Sequence, residues 1–162
     1  DFSENRLKEL LETIEEVDGK VIIWCSYRHN IKKVIETLDK KFGSGSAEGF
    51  YGETPSKERP KILERFMDPN HHMRFLVGHP RTGGYGLTLT IAKTMVFYSN
   101  DYDLEIREQA EARNHRIGTE SKVTYVDLVC EGTVDENILK SLRQKINIAT
   151  QIMGEEFKKW LI

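Results

Sequence analysis

Apolar positions along the chain fall into two alternating rhythms. Between residues 3 and 17, Leu7, Leu10, Leu11, Ile14 and Val17 recur at helical spacing among charged neighbours, which predicts an amphipathic helix stopped by Asp18-Gly19. Residues 20–25 follow, continuously apolar after Lys20 and rich in branched side chains, as expected of a strand buried on both faces. The spacing then predicts a helix over about 28–42, a loop at Gly43-Ser44-Gly45-Ser46 and a short strand at 48–51. A second helix is expected to open at Thr54-Pro55-Ser56, with Pro60 tolerated near its first turn. Strands at 74–77 and 94–98 flank a glycine-rich segment over 78–89. Asp103 is placed to cap a helix reaching about 116, Gly118 to end it, and residues 122–129 read as another strand. Thr133 then caps a long C-terminal helix with Val134, Ile138, Leu142 and Ile146 on one face. Strands alternating with helices predict an α/β fold, a parallel sheet covered on both faces.

Composition narrows this without redirecting it. The 162 residues, 38% hydrophobic and 31% charged, suit one domain with its own core. No run of about eighteen apolar residues occurs, and residues 1–17 lack a signal peptide's basic and apolar blocks, so no membrane association is expected and an intracellular setting is. Cys25 and Cys130 lie far apart in apolar runs and read as reduced core thiols. The net charge of −2 conceals an uneven layout. Residues 1–19 hold seven acids and two bases, whereas residues 20–81 hold twelve bases and seven acids, a local surplus of +5 that a polyanion would meet.

Several familiar chemistries are missing. No Gly-Lys-Ser/Thr phosphate loop is present, since Lys93-Thr94 and Lys140-Ser141 follow Ala92 and Leu139. Gly43, Gly45 and Gly49 miss the dinucleotide spacing and precede a strand where a helix is needed. Asp135-Glu136 sits in a first helical turn, where acids favour the helix dipole, and His71-His72 lies in a polar turn without a third metal ligand. No nucleophile, base and orienter set is apparent.

One constellation stands out. Gln109, Arg113 and Arg116 fall at i, i+4 and i+7 on the helix beginning near Asp103. Arg107 has Glu111 four residues later, but Arg113 follows Gln109 and Ala110, and Arg116 follows Ala112 and Arg113, so neither has a local acid upstream. Spacing alone leaves a solvated face and a site for an external anion equally open.

The stretch Gln109-Ala-Glu-Ala-Arg113-Asn-His-Arg116-Ile-Gly118 resembles motif six of superfamily-two helicases, in particular their Swi/Snf-type branch. Four further blocks match in order. Residues 21–26 resemble motif four, and Gly52-Glu53-Thr54 with Arg59 and Phe66 resembles the Gly-x-Thr block. Residues 81–89 resemble motif five and lead to Phe97-Tyr98 and Asn100-Asp101-Tyr102, while residues 123–129 and 132–136 resemble the last strand and the start of the bracing helix. The resemblance covers about residues 20–146 and implies that the chain is the C-terminal RecA-like lobe of an ATP-driven translocase. Residues 1–162 would form that single domain, with an N-terminal helix at 1–19 and a C-terminal helical extension at 133–162.

On this resemblance Arg113 and Arg116 are arginine fingers for ATP and Mg2+ held mainly by an N-terminal RecA-like lobe of the same parent chain, with Gln109 beside the terminal phosphate. Gly83, Gly84 and Gly86 let backbone approach nucleotide where a Cβ would clash. Ser26, Arg28, Thr54, Lys57, Arg81 and Thr88 contact the backbone of duplex DNA, which requires no sequence code. For Ser26 and Thr54, helix capping is the structural alternative. The chain departs from the family at Thr88 in place of Asn, Lys93 in place of Asp and Thr119 in place of Gln, and Gly78-His79-Pro80 replaces a hydroxyl-rich approach to motif five. Its compact connections suit a minimal lobe of viral or microbial style. Two function classes follow: half of an ATP-dependent motor, inactive as this fragment alone, or a nucleic-acid or protein-binding module that has lost catalysis.

Overall fold

The computed structural model describes residues 2–82, 89–100, 104–111, 123–130 and 134–153. Among these residues, ten elements follow one another as α1 (Phe2–Glu15), β1 (Val21–Trp24), α2 (Arg28–Phe42), β2 (Ala47–Phe50), α3 (Arg59–Met67), β3 (Phe75–Gly78), β4 (Thr94–Phe97), α4 (Leu104–Glu111), β5 (Thr124–Asp127) and α5 (Val134–Met153). The strands form one parallel sheet in the order β2-β3-β1-β4-β5. This is a RecA-like α/β sheet with helices on both faces and a C-terminal bracing helix. No helix among the described residues is long and apolar enough to cross a membrane.

Alternation along the strands assigns each residue to a face. Val21, Ile23 and Cys25 of β1 and its extension pack with Phe75, Val77, Val96 and Tyr98 under α1 and α2, which contribute Leu7, Leu10, Ile14, Ile31, Val34 and Leu38. Ile22 and Trp24 turn the other way, joining Leu76, Met95 and Phe97 under Ile62 and Phe66 of α3 and Ala110 of α4. The central strand is therefore buried on both sides, each such side chain contributing roughly 1.5–3 kcal/mol. Ile138 and Leu142 of α5 are buried where that helix packs on α4.

Polar side chains fix the element ends. After α1 the chain turns at Gly19, whose φ of +79° lies in the left-handed region. Arg74 reaches back to donate to the carbonyls of Val17 (2.5 Å) and Gly19 (2.7 Å). The Asp39 carboxylate accepts from the Ser46 hydroxyl (3.2 Å) and the Ala47 N–H (2.9 Å), which sets the start of β2. Lys20 is buried, donates to the Arg65 carbonyl near the end of α3 (3.0 Å), and is held below the ordinary lysine range by that burial. Arg65 in turn forks onto Glu48 at 2.7 and 2.6 Å, tying α3 to the edge strand.

Two local expectations are corrected. The helix expected from Thr54-Pro55-Ser56 begins at Arg59, because Pro60 in its first turn suits a start there and the Thr54 hydroxyl is engaged elsewhere. Cys130 is half-buried in the loop after β5 and accepts from Arg6 (3.3 Å), so only Cys25 is a core thiol. Asp135 does lie in the first turn of α5, but it also pairs with Arg6 and accepts from the Cys130 N–H, linking the two ends of the described fold. His71 and His72 stack at 4.6 Å, and His71 Nδ1 accepts the Met73 N–H within the turn.

Candidate nucleotide and nucleic-acid edge

Because all five strands are parallel and in register, their last residues form one row: Phe50, Gly78, Trp24, Phe97 and Asp127. The segments that follow share one sheet edge, where ligands of parallel α/β folds gather. Ser26 follows β1, Thr54 follows β2, Arg81 follows β3, and Ser99 and Asn100 follow β4. The chain leaves β1 through α2 over one face towards β2, and leaves β4 through α4 over the other face towards β5. The gap between β1 and β4 is thus the topological switch point. A small crevice lies there, lined by Ser26, Pro80, Phe97, Ser99, Asn100, Ile106 and Arg107.

Hydrogen bonds close this crevice across the sheet. The Ser26 N–H donates to Ser99 Oγ (2.8 Å), and the Ser26 hydroxyl donates to the Ser99 carbonyl (3.3 Å). Ser26 does not cap α2, whose N-cap is Tyr27 without a side-chain bond. Beside it, Arg107 spans from α4 to the end of β5, donating to Asp127 Oδ1 (2.5 Å) and Oδ2 (3.0 Å) and to Asn100 Oδ1 (2.8 Å). Asn100 completes the triangle by donating to Asp127 (2.9 Å), and the guanidinium lies 3.4 Å from the Phe97 ring centre. Sequence reasoning missed this triangle, since Asn100 and Asp127 lie 27 positions apart and meet only through strand pairing.

The Gly-x-Thr block is held differently from a helix cap. Thr54 is buried, donates its hydroxyl to the Gly49 carbonyl (2.9 Å) and accepts from the Tyr51 N–H (3.2 Å). Arg59 adds bonds to the carbonyls of Thr54 (3.2 Å) and Tyr51 (3.4 Å). This rigid turn presents Glu53 and Lys57 outward. Glu53 forms ion pairs with Lys32 (3.1 Å) and Arg28 (3.5 Å) and accepts from the Tyr51 hydroxyl (3.4 Å). The hydrogen bond from Lys32 is the leading reason that the Glu53 carboxyl sits below its ordinary range. Arg81 is exposed, and its N–H donates to His79 Nδ1 (3.1 Å).

Gln109 lies on α4, two positions beyond Arg107, while its side chain and residues Arg113, Arg116, Gly83, Gly84, Gly86 and Thr88 are outside the described residues. Among the described residues no group of His, Cys, Asp and Glu could hold a metal ion.

A family model described as the helicase conserved C-terminal domain matches residues 4–118. The chain belongs to that family. Its relatives are Swi/Snf-type chromatin-remodelling ATPases and helicases. Human chromatin-remodeling ATPase INO80 is 35% identical over 108 residues, covering 66% of this chain and 7% of that protein. The CHD3-type chromatin-remodeling factor CHR7 of Arabidopsis thaliana is 25% identical over 150 residues, covering 93% of this chain and 12% of its own length. Among solved structures, the C-terminal part of the Fun30 ATPase domain superposes with a TM-score of 0.73 at 18% identity, over 97% of this chain and 54% of that one. That likeness is one of fold. This helicase C-terminal domain spans a small fraction of the curated relatives it matches.

Proposed function

We propose that this helicase C-terminal domain is the second motor lobe of an ATP-dependent DNA translocase, completing an ATP site whose phosphate loop and metal ligands lie on an N-terminal lobe. The observation that carries the reading is topological: Ser26, Arg28, Lys57 and Arg81, separated in sequence, all follow strands onto one sheet edge in a chain of this family. Arg28, Lys57 and Arg81 supply positive charge there, and Ser26 offers a hydroxyl whose 3.3 Å bond is easily exchanged for a phosphate oxygen. Thr54, with its proton given to Gly49, contributes by holding the loop in shape and Thr88 by its place in motif five. Such contacts track a nucleic-acid backbone without reading sequence.

In the hydrolytic role, Arg113 and Arg116 neutralise charge building on the transferred phosphoryl group, Gln109 meets the terminal phosphate, and backbone at Gly83, Gly84 and Gly86 passes close to the nucleotide. Guanidinium groups suit this because they stay ionised and meet two oxygens at once, and fingers of this kind are worth roughly a thousandfold in turnover. The Arg107 triangle seats the helix that carries Gln109. In the full-length protein, Arg113→Ala and Arg116→Ala should each lower kcat about a thousandfold while leaving ATP affinity nearly unchanged, as expected of groups acting on transition-state charge. The fragment of residues 1–162 should hydrolyse no ATP, with or without DNA. Wild-type turnover in both variants, or DNA-stimulated turnover by the fragment, would refute the proposal.

A further inference from the structure

Glu53 occupies an unexpected place on the proposed DNA edge. Arg28 and Lys32 stand at i and i+4 in the first turns of α2, a helix end with no acid in its first turn and no side-chain cap. Two like charges at the positive end of a helix dipole call for an anion. Glu36 stands four residues beyond Lys32, the local position for a partner, yet Lys32 pairs across the gap with Glu53. Glu53 reaches both cations at once, and the Tyr51 hydroxyl steadies it from its own loop. Arg28, Lys32 and Glu53 keep 72%, 58% and 43% of their side-chain surface open to solvent, so the group is accessible to a large ligand.

We infer that the Glu53 carboxylate is an internal stand-in for a backbone phosphate, occupying the Arg28 and Lys32 pair until a phosphodiester of the nucleic-acid track displaces it. This rests on the proposed reading of the edge as a nucleic-acid contact. A carboxylate and a phosphodiester each offer two oxygens, and the exposed ion pairs are weak enough to exchange. The fixed acid removes one unit of charge from the edge, which lowers affinity and lets the lobe release each phosphate as it moves along.

The test uses the full-length protein and a short fluorescent DNA duplex of mixed sequence, titrated from about 50 to 200 mM salt. Glu53→Gln should tighten binding several-fold at the low end and steepen the slope of log affinity against log salt by about one unit, so that its advantage shrinks about three- to fourfold across the range. The gain should vanish when Arg28→Gln and Lys32→Gln are also present. An unchanged affinity and slope in Glu53→Gln, while Arg28→Gln with Lys57→Gln flattens the wild-type slope, overturns the stand-in role and leaves the edge intact. If the Arg28 and Lys57 double variant also keeps the wild-type slope, with unaltered far-UV circular dichroism, the edge reading falls and the stand-in falls with it. A loss of thermal stability in Glu53→Gln without tighter binding would mark Glu53 as a loop clamp and overturn the inference.

Discussion

Breaking the Arg107 and Asp127 pair tests whether the triangle at the switch point seats the helix that leads into motif six. The side chains are 11% and 22% exposed, joined by two charge-assisted bonds, with the Phe97 ring beneath and Asn100 bonded to both. An exposed pair contributes at most about 1 kcal/mol, and removing one partner of a fully buried pair costs about 3–5 kcal/mol. This pair lies between those limits, nearer the buried one. Arg107→Met should cost about 2–3 kcal/mol, because it leaves the Asp127 carboxylate without its cation, and Asp127→Leu should cost as much by taking the carboxylate away from a largely buried guanidinium. The double variant removes both charges together and should cost about 2 kcal/mol less than the sum of the two singles.

Urea denaturation of the three variants and the wild type gives the coupling, with unchanged m-values confirming that the unfolding reaction is the same. The functional arm uses the full-length protein. Gln109 lies two positions beyond Arg107, so a loosened α4 should lower kcat in both single variants and restore part of it in the double. Costs that add to within about 0.5 kcal/mol would show that the two residues do not act as a unit, and would refute the argument that this triangle positions α4.

Two further outcomes follow from the packing. A Cβ at Gly78 would stand 2.3 Å from the Phe50 carbonyl oxygen and 3.3 Å from the Trp24 ring, so Gly78→Ala must part β2 from β3 and should cost about 2–3 kcal/mol, a loss of about 4–12 °C in Tm by thermal circular dichroism. Gly52→Ala meets nothing within 4 Å and should stay within about 0.5 kcal/mol of wild type, and equal losses at both positions would refute the packing argument. Burial pushes the Tyr98 hydroxyl from 10.0 up to about 12, against the pull of Arg6, and pushes the Cys25 thiol up as well. Both groups keep their protons in the folded state at pH values where the unfolded chain has lost them, so stability present below about pH 9 should decline as pH rises, with the Tyr98 part lost between pH 10 and about 12. Tyr98→Phe should flatten the upper part of that decline in urea titrations at stepped pH, and an unchanged slope there would refute the assignment.

Much of the fold was legible because its strands are buried on both faces and its helix ends carry local signals. The apolar run at 20–25 became Val21–Trp24 within one residue at each end, and the helix expected over 28–42 is α2 from Arg28 to Phe42. The start of α3 was misread because Thr54 has two possible partners for one hydroxyl, the next helix or its own loop, and sequence spacing does not rank them. For the candidate site, the order of strands and loops was legible but the internal bonds were not. Ser26 with Ser99, and Asn100 with Asp127, are neighbours only because β1, β4 and β5 lie side by side.

Charge was the least legible property, because a count of bases does not say which of them face outward to a ligand. Of the twelve bases behind the surplus of +5, Lys20 and Arg74 donate to carbonyls at element ends, Arg59 locks the loop after β2, and Arg65 is forked onto Glu48. Lys41 pairs with Glu15, Lys61 with Glu58, and Lys33 donates to Ser3. Lys40 and Lys41 occupy the last turn of α2, where they favour the helix dipole at the opposite edge of the sheet. Of the twelve, those at the carboxyl edge of the sheet are Arg28, Lys32, Lys57 and Arg81, with Glu53 set among them. Four of the twelve bases are thus gathered where strands end, and the others are spent on bonds that hold the fold or on the opposite edge. For the proposed grip on a phosphate backbone, that combination of position and restraint matters more than net charge.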